Sequence, residues 1–97
     1  MSRKTQTTKV FETKPKYNGW TNRQTWNVAL WIGNDEGLYR MAKEIAQDIA
    51  ADDSDASPYE TFVENMRELG SMETPDHVAY NDSALDIDEL DDMMREL

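Results

Sequence analysis

A chain of 97 residues has room for one domain round a single core, and with 38% hydrophobic and 31% charged residues that core is modest. The absence of cysteine excludes disulfides and thiolate zinc sites, and no run approaches the ~18 apolar residues of a membrane span, so a soluble cytoplasmic protein without membrane contacts is expected. A formal net charge of −10 opposes nucleic acid and anionic lipid and favours partners with basic surfaces.

Residues 1–16 carry Arg3, Lys4, Lys9, Lys14 and Lys16 against Glu12 alone, a net +4. They lack apolar periodicity, lack the apolar centre of a secretory signal and include Pro15, which predicts a disordered, mobile basic arm. Residues 17–97 hold the other 5 basic and 19 acidic residues, a net −14, and form a single acidic domain. Asn18-Gly19 is a turn dipeptide leading into Trp20-Thr-Asn-Arg-Gln-Thr-Trp26-Asn-Val-Ala-Leu-Trp31-Ile-Gly33. A first helix is expected there, capped by Thr21 or Asn22, with Trp26, Ala29 and Leu30 facing the core and Gly33 as its left-handed stop.

Asn34-Asp35-Glu36 offers acceptors and negative charge at the start of a second helix, which runs to about Ala51 with Leu38, Met41, Ala42, Ile45 and Ile49 at helical spacing. After the acidic linker 52–56, Ser57-Pro58-Tyr59-Glu60 combines an N-cap, proline at the first helical position and a capping-box glutamate. The third helix carries Tyr59, Phe62, Val63, Met66 and Leu69 on its apolar stripe and ends at Gly70. Thr74-Pro75 repeats the cap-plus-proline signal and predicts a weaker helix through Leu85. Asp86 and Glu89 cap a last helix with Ile87, Leu90, Met93, Met94 and Leu97 on its apolar side. No period-two alternation predicts a strand, so the expected fold is all-α, a small bundle of four to five short helices.

Catalytic patterns are missing. His77, the sole histidine, has no cysteine or second histidine beside it and reads as a surface or turn residue. The best calcium frame, Asp53 to Glu64, puts Pro58 where the loop needs glycine, and a helix starts there instead. Neither Gly-x-Gly-x-x-Gly nor a Walker-type loop occurs. No catalytic, cofactor-binding or metal-binding residue and no small-molecule substrate is therefore expected, and binding of a macromolecule is the expected activity.

Fourteen negative charges equal those of roughly 24 Å of duplex DNA, and a body of about 80 residues is about 30 Å broad. Glu60, Glu64 and Glu68 form one helical row and Asp88, Asp91, Asp92 and Glu96 another, either as ordinary solvated faces or as a mimic of nucleic acid for a basic groove. Trp20 and Trp26 read as core, while Trp31, about 100° round the helix from Leu30, is either core or a partly exposed interface anchor. The arm could instead make a few weak, salt-sensitive nucleic-acid contacts as part of a nucleoprotein accessory factor, and a virion assembly role is a further alternative.

The run from Asn18 to Tyr39, with Asn22-x-x-Thr25-Trp26-Asn27-Val28-x-Leu30-Trp31 followed by Asn34-Asp35-Glu36-Gly37, resembles a family of small uncharacterised proteins of tailed bacteriophages, plasmids and some bacteria. The resemblance is specific over 18–39 and loose elsewhere, and it brings no catalytic residue with it. It implies a phage or mobile-element context, in which small acidic proteins inhibit host restriction, CRISPR effectors or transcription by occupying nucleic-acid-binding surfaces. The expected partner is then a host protein with a basic groove, met in the host cytoplasm.

Overall fold

In a computed structural model residues 17–97 are described, and the mobile arm expected over 1–16 lies outside them. Each helix begins where a side-chain oxygen can take a backbone N–H that has no partner within the helix. Asn22 caps α1 (Arg23–Asn34), Asp35 caps α2 (Glu36–Ala51), Ser57 caps α3 (Pro58–Leu69) and Asp86 caps α4 (Ile87–Arg95). The described residues contain no strand, only isolated bridges between Tyr17 and Trp20 and between Glu73 and Ala79. Asn18 and Gly19 close the first of these as a tight turn with φ of 49° and 89°.

α1 packs on α2 and α4, α3 packs on the same two helices, and α2 meets α4, whereas α1 and α3 do not touch. The fold is thus an all-α bundle in which α2 and α4 separate the other pair. Its core joins Val28 and Ile32 of α1, Ala42 and Ile45 of α2, Phe62 and Met66 of α3, and Leu90 and Met94 of α4. Phe62 stacks on Tyr59 at 5.8 Å and meets Tyr80 edge-on at 5.6 Å. The Tyr59 hydroxyl donates to the Tyr80 carbonyl at 2.7 Å, and burial, then the neighbouring Tyr80, push its phenol far above the ordinary 10.0, so it stays a donor.

Five details differ from the expectations. On α1 the buried stripe is Thr25, Val28, Ala29 and Ile32, one residue out of phase with the expected Trp26, Ala29 and Leu30. Both sets have helical spacing, but the observed one buries compact side chains and leaves Trp26 half-buried, its ring 5.1 Å from that of Tyr17. Gly33 stays helical, and the stop comes at Asp35, whose extended backbone ends α1 and opens α2. Leu69 is 65% exposed, outside the core.

The expected fifth helix, Thr74 to Leu85, is a looped excursion. His77 has φ of 70°, which a right-handed helix cannot contain. The Thr74 hydroxyl donates to Asn27 Oδ1 at 2.7 Å and accepts the Val78 N–H at 3.1 Å, while Tyr80 N–H reaches the Met72 carbonyl at 2.8 Å. Sequence shows the cap signal at Thr74; the buried partner on α1 decides its use. The turn at Gly70, with φ of 75°, ends α3 as expected.

Asp91 departs furthest from its expected place on an exposed acidic row. It is 7% exposed, and its Oδ1 accepts the Ser57 hydroxyl at 2.7 Å and the Tyr59 N–H at 2.9 Å, fastening α4 to the first turn of α3. Hydrogen bonds to a charged acceptor contribute about 1.5–3 kcal/mol each, and removal strands both donors. Asp91→Ala is expected to lower unfolding free energy by about 2–4 kcal/mol in urea titration, whereas Asp88→Ala stays within about 0.5 kcal/mol. Equal losses for the two variants would contradict this assignment.

Candidate functional site

The charge of the described residues is divided unequally between the halves of the bundle. Residues 17–51 hold 4 acidic and 3 basic side chains, a net −1; residues 52–97 hold 15 acidic and 2 basic, a net −13. The excess lies on the linker before α3, on α3 and α4, and on the segments between and after them, and α3 and α4 pack directly on each other. This partition was available in the sequence as a change of composition after Ala51, but its meaning depends on the contact between α3 and α4.

Glu60, Glu64 and Glu68 are exposed along α3, one helical turn and about 6 Å apart. Glu64 Oε2 lies 2.6 Å from Arg67, and both side chains remain more than half exposed, so the pair adds little stability and leaves the row accessible. Glu60 and Glu64 rim a cleft of about 550 Å³ whose apolar wall is formed by Tyr59, Val63, Tyr80 and Ile87.

On α4, Asp88, Asp92 and Glu96 are exposed while Asp91 turns inward. Asp92 and Glu96 rim a second cleft, of about 490 Å³, with Trp20, Met93 and Leu97. The two expected rows are thus brought to neighbouring helices but border different clefts. Glu89, in the same cleft, is tied into the fold by the Thr21 N–H at 2.9 Å.

Trp31, the expected interface anchor, is half-buried, and its indole Nε1–H donates to Asp76 Oδ2 at 2.9 Å. The same oxygen accepts Asn27 Nδ2 at 2.8 Å, and the Asn27 carbonyl oxygen accepts Thr74. Trp31 therefore braces the 74–78 loop against α1. The role was hidden in the sequence because Asp76 is 45 residues away. His77 is exposed beside Glu73, as a surface histidine should be. Among the described residues no group of three or more His, Asp or Glu side chains is arranged to hold a metal ion, and no helix is long and apolar enough to cross a membrane.

The hydrogen bonds from Asn27 and then Trp31, helped by Arg23 and His77, hold the Asp76 carboxyl below its ordinary 3.8. A depressed carboxyl stabilises the fold fully above its unfolded value and ceases to do so as pH falls through its lower folded value. The Trp31 indole N–H resonance is therefore expected to titrate with a midpoint below 3.8, and to lose that titration in Asp76→Ala. A midpoint at or above the ordinary value would contradict the brace.

No curated protein and no solved structure matches the chain. One family model does, over residues 13–97, which takes in all four helices and both clefts. The chain therefore belongs to the family of unknown function DUF7249.

Proposed function

We propose that the protein is a binding inhibitor or modulator that offers the α3 acidic row to a basic, nucleic-acid-binding groove of another protein. The supporting observation is the concentration of a net −13 on residues 52–97, beside a cleft where Glu60 and Glu64 stand over Val63 and Ile87. Of the thirteen charges a net −2 lies on α3 itself, where Glu60, Glu64 and Glu68 outnumber Arg67 over about 18 Å, and the other eleven lie on α4 and the segments flanking the two helices. A basic side chain can pair with the rim while an apolar neighbour enters the cleft, which couples electrostatic steering to contact area. The phage or mobile-element context inferred from residues 18–39 makes a host defence effector, of the CRISPR or restriction kind, or a transcription factor the class of partner.

A partner captured at low salt is expected to carry a basic nucleic-acid-binding groove, to be released by duplex DNA and to be lost at high salt. Replacing Glu60, Glu64 and Glu68 together by glutamine removes three exposed charges. At about 0.5 kcal/mol each these amount to about a tenfold loss of affinity by calorimetry. Glu44→Gln with Asp48→Asn on α2 is expected to leave binding within about twofold. Salt-independent capture of a non-basic partner, or unchanged binding by the α3 variant, would sink the proposal.

A further inference from the structure

The cleft on α4 and the basic arm have complementary contents. The cleft pairs apolar side chains, Trp20, Met93 and Leu97, all half-buried, with the exposed carboxylates of Asp92 and Glu96. Among the described residues Arg95 lies 3.2 Å from Asp92, in a pair that is mostly exposed on both sides. The arm has net charge +4, and its sole apolar residues beyond Met1 are Val10 and Phe11, set between Lys9 and Lys14.

Position favours the same pairing. Tyr17 and Trp20 exchange backbone hydrogen bonds of 2.7 and 2.8 Å, so the chain enters the described fold at the residue paired with the cleft's own tryptophan. Gly19 of that turn also lines the cleft. From Tyr17 back to Phe11 is six residues, a reach of about 20 Å when extended. Phe11 can therefore fold back into a cleft that begins beside Trp20, and the short tether gives an effective concentration on the order of millimolar.

We propose that residues 1–16 dock in the α4 cleft of their own chain, with Val10 and Phe11 against Trp20, Met93 and Leu97 and with Lys9 and Lys14 beside Asp92 and Glu96. The arm then shields the α4 carboxylates from foreign basic surfaces and leaves the α3 row as the open one. This inference goes beyond the α3 reading and does not depend on any foreign partner, so either can fail alone.

Carbodiimide coupling of lysine amines to carboxylates in the full-length protein, read by peptide mass spectrometry, tests the docking. The expected result is amide links from Lys9 or Lys14 to Asp92 or Glu96 within the monomer band, at least severalfold weaker at about 1 M salt, where the screening length is about 3 Å. In parallel, Phe11→Ala in the full chain is expected to shift the Trp20 indole resonance and the Met93 methyl while leaving the Trp31 indole in place. Links confined to dimeric species, or directed to Glu60 and Glu64 instead, would overturn the proposal. So would absence of links together with an unmoved Trp20 resonance.

Discussion

The N–H groups left over at helix starts are the constraint round which this acidic chain is arranged. A carboxylate placed there satisfies donors that the helix cannot and meets the positive end of the helix dipole. Asp86 does this with Oδ1, which accepts the Glu89 N–H at the start of α4, while its Oδ2 accepts the Thr21 hydroxyl just before α1. Asn22 Nδ2 reaches the Ala84 carbonyl at 2.6 Å, and the Asp86 N–H reaches Thr25 Oγ1 at 3.0 Å, so the starts of α1 and α4 are laced together. Five residues on, Asp91 does the same for the start of α3. Because α1 and α3 do not touch, these bonds make α4 the strut that sets one against the other.

That use of carboxylates also sorts the acids by role. Asp35, Asp76, Asp86 and Asp91 are internal fasteners, bound to N–H and hydroxyl donors. Glu36, Glu64 and Asp92 form exposed pairs with Arg40, Arg67 and Arg95 on their own helices, a type of contact worth about 0–1 kcal/mol. Such pairs yield readily to a better-placed cation. The exposed acids Glu60, Glu68 and Asp88 repel one another at the surface of α3 and α4, a cost that a basic partner would relieve. Affinity gained this way declines with salt, which separates it from binding driven by apolar burial.

Much of this was legible locally. The caps at Ser57 and Asp86, the start of α2 at Asp35-Glu36, the αL turn at Gly70 and the apolar stripe of α3 up to Met66 each follow from residues within one or two turns of each other. The failures share a different cause. Thr74-Pro75 has the same local grammar as Ser57-Pro58, but Thr74 finds Asn27, 47 residues away, and the segment loops instead of coiling. Asp91 sits in a run of acids that reads as solvent-facing, yet its partners are 32 and 34 residues distant. The α1 stripe slipped by one residue because indole rings weigh heavily in an apolar pattern, whereas here their polar edges and size place them at the rim.

By itself, then, the sequence determined four helices and three of their starts, the stop of α3, and the charge contrast between arm and body, because caps, glycines, helical periodicity and net charge act over a few residues or need no geometry at all. Tertiary structure alone decided that Asp76 and Asp91 are fasteners, which face of α1 is buried, that residues 74–85 do not coil, and that the two acidic rows border separate clefts. Each of those outcomes depends on a partner many residues away, and a hydrogen bond or a packed ring from that partner outweighs the local preference it competes with.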